Sequence, residues 1–182
     1  MTPLNKASMQ TALGTHSDKS FCTPARQPIK EFTLKRTVRQ YETADVDGIL
    51  AAWESASAVG HPFLHEDFLD QERYNIPNVY LPNAETWVIE QDGNVIGFIS
   101  LIGNEVGAIF VDSTFHGTGA GKALMDKAQQ LRGDLEVEVF KANAIGRQFY
   151  ARYGFEPMSE KMHEETGNVL LRLRFESDNK SH

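Results

Sequence analysis

The sequence predicts a mixed α/β fold of α+β-like order, built on a mostly antiparallel sheet. Two apolar runs, 86–90 and 95–102, flank Gln91-Asp92-Gly93-Asn94, and Asp-Gly between apolar runs signals a hairpin. A second turn at Gly103-Asn104 leads into a third run, 105–111, so three antiparallel strands come in succession. That third run ends in a glycine-rich loop opening an amphipathic helix, after which strands and helices alternate. A doubly wound dinucleotide fold would instead carry its loop on the first strand.

The chain of 182 residues suits one domain with a sizeable core. We expect a mobile leader over 1–32, rich in Thr, Ser, Pro, Lys and Gln, a single domain over 33–176, and a flexible tail over 177–182. Hydrophobic residues make up 41% and charged residues 24%, as in soluble globular proteins. No apolar run approaches the roughly 18 residues of a membrane span, and the N-terminus lacks a secretory pattern. The expectation is therefore cytoplasmic, with no membrane partner. Cys22 is the single cysteine, which excludes an internal disulfide and a Cys-rich zinc site; no metal is expected. A net charge of −7 argues against a nucleic-acid partner and suits a cationic amine substrate.

In chain order, 34–41 reads as a first strand. Thr43 can cap the helix that follows, with Asp45 and Asp47 in its first turn and Val46, Ile49, Leu50 and Trp53 at helical spacing, which places Trp53 in the core. From 55 to 82 the pattern is irregular, with weaker helical signals up to Pro77. After the glycine loop, Leu124, Met125, Ala128 and Leu131 share one helical face and Gly133 provides a stop. Residues 135–140 alternate apolar and acidic, as a half-exposed strand does. Asn143 can cap a helix presenting Ile145, Phe149 and Tyr153 on one side and ending at Gly154. Strands begin at Phe155 and run over 169–175, where Val169, Leu171, Leu173 and Phe175 share a face.

The loop is His116-Gly117-Thr118-Gly119-Ala120-Gly121. Its glycines let several N–H groups converge on one anion where a helix begins, and the helix terminus adds partial positive charge. The dinucleotide fingerprint fails because Lys122 stands where its third glycine belongs. The nucleotide-triphosphate loop fails because it needs glycine at His116 and a hydroxyl at Ala123.

The spacing does match Q/R-x-x-G-x-G/A, with His116 in the opening position. About twenty residues on, the segment from Asn143 to Phe155 is similar to N-x-x-A-x-x-F-Y-x-x-x-G-F, with Gly146 at the alanine position. Together these motifs resemble the GNAT N-acetyltransferase superfamily over roughly 109–155. The resemblance implies a mixed sheet splayed into a V, flanked by about four helices, and acetyl-CoA as cosubstrate. It places the pantetheine arm on backbone groups of Phe110 and Val111 and on Asn143, and the pyrophosphate on the amides of His116 to Gly121 and Lys122. It also implies that Tyr150 lies at the thioester sulfur, and it makes His61, Phe63 and His65 candidates for the acceptor wall.

The activity so implied is direct acetyl transfer to a primary amine, carried by a small molecule or a protein, with the protein acting as a monomer or homodimer. A lysine-type amine of pKa about 10.4 is less than about 0.1% neutral near pH 7, so a base or water relay is wanted. Glu105 is the first candidate base and His61 the second; Tyr150 is the candidate acid. The alternatives are a non-catalytic CoA-binding or regulatory module on the same fold, and a phosphate-binding domain that takes no CoA.

Overall fold

The computed structural model describes residues 35–177, which fall within the compact unit Thr33–His182. The leader expected over 1–32, with Cys22, and residues 178–182 lie outside the described residues. Ser177 is held by Asp134, whose Oδ1 accepts from its N–H and its Oγ at 2.9 Å each.

One sheet carries the domain. Its strands are β1 (Arg36–Gln40), β2 (Glu85–Gln91), β3 (Asn94–Ile102), β4 (Glu105–Val111), β5 (Leu135–Phe140), β6 (Glu156–His163) and β7 (Asn168–Phe175). They lie in the order β1-β2-β3-β4-β5-β7-β6. Each neighbouring pair is antiparallel except β4 and β5. The hairpin between β2 and β3 turns on Asp92 and Gly93, with φ of 53° and 83°, the positive pair that a two-residue hairpin turn requires.

Four helices of ten residues or more lie among the described residues: α1 (Val46–Gly60), α2 (Glu66–Asn75), α3 (Ala120–Arg132) and α4 (Ala144–Tyr153). Alternation along each strand sends neighbouring side chains to opposite faces, so the sheet has two cores. Ile49 and Trp53 of α1 pack on Val88 and Phe98, with Ile76 and Leu81. Leu124, Met125 and Ala128 of α3 pack on Ile89, Ile99 and Val111 across the sheet.

Several local expectations change. Thr43 is not the cap: it starts a short 3-10 turn, Thr43–Asp45, and Asp45 Oδ2 accepts from the Glu42 N–H at 2.8 Å. Asp45 is buried against a bidentate Arg39, which holds its carboxyl below the usual range. The irregular stretch is shorter than its composition suggests, because α1 runs on to Gly60 and α2 begins at Glu66. After α2 the ladder widens into a π turn, Ile76–Tyr80, closed by the Leu81 N–H on the Ile76 carbonyl. Pro77, with no N–H to donate, sits inside it. Ile145 is 44% exposed, so the inner face of α4 belongs to Phe149, Tyr150 and Tyr153.

The feature that positions the site is the seam between β4 and β5. They pair only at Glu105 with Glu136 and Val106 with Val137, then diverge. The V expected from the resemblance is present.

Candidate active site

At the open end of the seam the glycine loop turns into α3. Gly117 and Gly119 have φ of 74° and 87°, which side-chain-bearing residues resist. The first bond of α3 runs from the Ala123 N–H to the Gly119 carbonyl at 3.0 Å. The amides of Ala120, Gly121 and Lys122 therefore lack an acceptor within the helix, and those of Gly117 and Gly119 have no partner among the described residues. The expected anion set narrows accordingly. The His116 N–H is spent on the Ser113 carbonyl at 3.2 Å, and the Thr118 N–H and Oγ1 on the Phe115 carbonyl at 3.3 and 2.8 Å. A Cβ on Gly121 would come within 3.2 Å of Phe149 Cε2, so the glycine also lets α3 and α4 meet.

Two side chains brace this loop. His116 Nε2 donates to the Val111 carbonyl at 2.8 Å, which turns the imidazole back onto β4 rather than toward an anion. From β1, Arg36 donates to the Thr118 carbonyl at 2.9 Å and to Gln91 Oε1 at 2.6 Å.

The register corrects the role expected for Phe110. Asp112 donates to Ile96 at 2.9 Å, and the β3 register pairs Val111 with Gly97 and Phe110 with Phe98. In an antiparallel ladder opposed residues alternate between bonded and unbonded pairs, so the backbone of Phe110 is turned toward β3. The groups facing the seam are those of Ile109 and Val111. With the Val111 carbonyl held by His116, the Val111 N–H and both groups of Ile109 remain for a ligand strand. The Phe110 side chain still lines the cavity.

Across the seam, Asn143 caps α4 by accepting the Gly146 N–H on Oδ1 at 2.8 Å. That orientation turns Nδ2 toward His61 Nε2, 3.1 Å away. An amide nitrogen only donates, so Nε2 accepts and the proton of His61 resides on Nδ1. Burial lowers the His61 pKa to about 4, and the ring is neutral at pH 7. It packs edge-on to Phe63, Phe110 and Phe140. Tyr150 is 6% exposed and faces the same space; burial pushes its phenol above the ordinary range.

These groups line one cavity of about 1160 Å³. Both signs of charge line it, with Asp126 beside Lys122 on α3 and Glu138 on β5. Lys122 and Arg152 line it from α3 and α4, whereas Glu72 lines it from α2. Glu72 Oε1 accepts from the Tyr80 hydroxyl at 2.7 Å and from Asn75 Nδ2 at 3.1 Å. Burial first, and the Glu72 carboxylate second, push Tyr80 up to about 12, so it stays a donor. Ser57 of α1 lines the cavity as well, its Oγ buried with no hydrogen-bond partner among the described residues.

The structure does not bring Glu105 to this cavity. It lies where β4 and β5 still pair, its carboxylate 3.5 Å from Arg172, which also holds Glu136 and Glu138. His65 is the residue before α2 and is exposed outside the cavity, and Phe63 reaches the site only through its contacts with His61 and Phe140. Sequence reasoning missed Arg36, Arg152, Ser57 and Glu72. For Arg152 a signal existed, since it falls within the second motif; the others depend on long-range packing.

Comparisons with known proteins bear on the fold and the family. The family model described as an acetyltransferase (GNAT) domain matches residues 82–157. Peptidyl-lysine N-acetyltransferase YiaC of Escherichia coli (strain K12) is 32% identical over 130 residues, covering 71% of this chain and 89% of that protein. Peptidyl-lysine N-acetyltransferase YjaB of the same strain is 25% identical over 142 residues, 76% of this chain and 96% of that one. The solution structure of apo YjaB from Escherichia coli has the same fold, with a TM-score of 0.71 at 23% identity over 78% of this chain and 98% of that one. So has the PaiA N-acetyltransferase of Thermoplasma acidophilum in complex with coenzyme A, with a TM-score of 0.63 at 16% identity over 78% and 100%. On the glycine loop, the splayed seam and this likeness, the chain belongs to the GNAT acetyltransferase superfamily and is an acyltransferase.

Proposed function

We propose that the protein transfers an acetyl group from acetyl-CoA directly to a primary amine, and that the amine is a lysine side chain of a peptide or protein. The observation that carries this reading is that anion-binding amides and an unpaired carboxylate line the same cavity. Amides unpartnered among the described residues, together with Arg152, suit a polyanion, and Glu72, a lining carboxylate with no ion pair among the described residues, suits a cation. The relatives named for peptidyl-lysine acetylation support the choice of acceptor.

The residues fit acetyl-CoA. The diphosphate would be held by the free amides from Gly117 to Lys122, and the pantetheine amides by Ile109, Val111 and the remaining Nδ2 hydrogen of Asn143. When bound, acetyl-CoA supplies an acyl group activated as a thioester. Tyr150 keeps its proton on Oη across the neutral range and is the donor for a thiolate leaving group. His61 offers Nδ1–H and has Nε2 engaged, and Glu105 is bound to Arg172, so the ammonium proton leaves through water at the open mouth.

The experiment is incubation with acetyl-CoA carrying an isotope-labelled acetyl group and a lysine-containing peptide, followed by mass spectrometry. Label on the lysine Nζ is expected. Binding of CoA without transfer would favour a non-catalytic CoA module, a reading to which the engagement of both candidate bases lends support.

A further inference from the structure

We infer that Glu72, clamped by Tyr80 and Asn75, is the acceptor-selecting group of the cavity, taking a primary ammonium on an unbranched aliphatic chain; this rests on the acetyltransferase reading above. Three carboxylates line the cavity. Asp126 is neutralised by Lys122 at 2.7 Å, and Glu138 by Lys161 at 2.8 Å and Arg172 at 3.2 Å. Glu72 makes no ion pair among the described residues.

Its two recorded partners, Tyr80 and Asn75, are neutral donors, and both bond Oε1. They hold the carboxylate in one orientation without cancelling its charge, and Oε2 is left for a further donor. The π turn contributes to this clamp. It carries Tyr80 at its end, and the hydroxyl reaches back eight residues to Glu72. The cavity lining from α1, α2 and the π turn also includes Trp53, Leu69 and Ile76, which belong to one apolar cluster. Such a wall suits methylene groups behind an ammonium. Ser57 adds to the cavity lining a buried hydroxyl with no partner among the described residues, a second polar group left for a ligand. A carboxylate fixed by uncharged donors beside apolar walls discriminates a charged amine from a neutral amide or alcohol, because only the former meets a full opposite charge.

The test uses the full-length protein, acetyl-CoA and the tripeptide acetyl-Gly-Lys-Gly-amide. Glu72→Gln is expected to raise the peptide KM at least about tenfold, as loss of a hydrogen-bonded charge pair does, with the acetyl-CoA Kd from calorimetry unchanged. Tyr80→Phe, which frees the carboxylate without removing it, should give a smaller rise. Wild-type peptide KM should increase with added salt, and the Glu72→Gln value should not. A merely structural glutamate would move neither the salt dependence nor KM alone. A peptide KM in Glu72→Gln within about twofold of wild type, or an unchanged salt response, overturns the assignment. If Glu72→Gln fails to fold, Glu72→Asp and the wild-type salt response decide in its place. Wild type that binds acetyl-CoA yet acetylates no lysine peptide overturns the substrate class alone; wild type that binds no acetyl-CoA overturns the underlying reading, and this inference with it.

Discussion

His116 Nε2 lies 2.8 Å from the carbonyl oxygen of Val111, joining the first residue of the glycine loop to the last residue of β4. A carbonyl only accepts, so Nε2 carries the proton. At the position where the family motif has Gln or Arg, this chain has a side chain that braces the loop from within. His116→Ala should therefore raise the acetyl-CoA dissociation constant about two- to tenfold, the worth of one net hydrogen bond, and leave the amine KM unchanged. His116→Gln, which retains a donor, should recover most of the affinity. Titration calorimetry on both variants checks this, and equal loss in the two would show that the brace is irrelevant.

Gly119 precedes α3 at φ 87°. Gly119→Val forces a β-branched residue into left-handed backbone and should cost about 1–2 kcal/mol of stability, together with a weaker hold on acetyl-CoA. Urea unfolding and calorimetry measure the two effects separately. An affinity equal to wild type in a folded variant would remove the loop from the anion site.

Tyr150→Phe keeps the buried ring and loses the proton donor. If protonation of the departing sulfur occurs in the slow step, the single-turnover rate should fall by at least about 10². Because burial raises the phenol, the wild-type rate should not decline through loss of the Tyr150 proton at mildly alkaline pH. An unchanged single-turnover rate with intact acetyl-CoA affinity would leave Tyr150 as a wall of the slot.

His61 supplies a pH dependence of stability. Its folded pKa of about 4 lies below the ordinary 6.5, so between those values the unfolded chain binds the extra proton and stability falls as pH falls. Integrated from pH 7 to pH 5, the loss attributable to His61 is about 2 kcal/mol, and it levels off below pH 4. His61→Gln should show a correspondingly shallower difference between urea unfolding at pH 7 and pH 5. The same slope in both proteins would sink the assignment.

What could be read from the sequence was local. Asp92-Gly93 specified its turn, the spacing of Gly117, Gly119 and Gly121 specified the loop, and Asn143 specified a cap, because each acts within a few residues of itself. The links from Arg36 to Thr118 and from His61 to Asn143 each span 82 residues and follow from no pattern near either end. Phe110 and Val111 differ in role only through strand register, which the period-two alternation leaves open. Glu72 was hidden for another reason: its helix has a weak apolar stripe and runs on at Asn75 into a π turn that contains Pro77, so neither the helix nor the face it turns to the cavity stood out.

The short seam between β4 and β5 has a kinetic signature in hydrogen–deuterium exchange. Beyond Val106 one margin of β4 is bonded to β3 while the other meets no strand among the described residues. Protection should therefore alternate along a single strand of the free protein, slow at Phe110 and fast at Ile109 and Val111. A bound pantetheine arm would slow the latter two and leave Phe110 as it was. Read residue by residue, β4 would report occupancy of the seam in real time, with no label and no turnover.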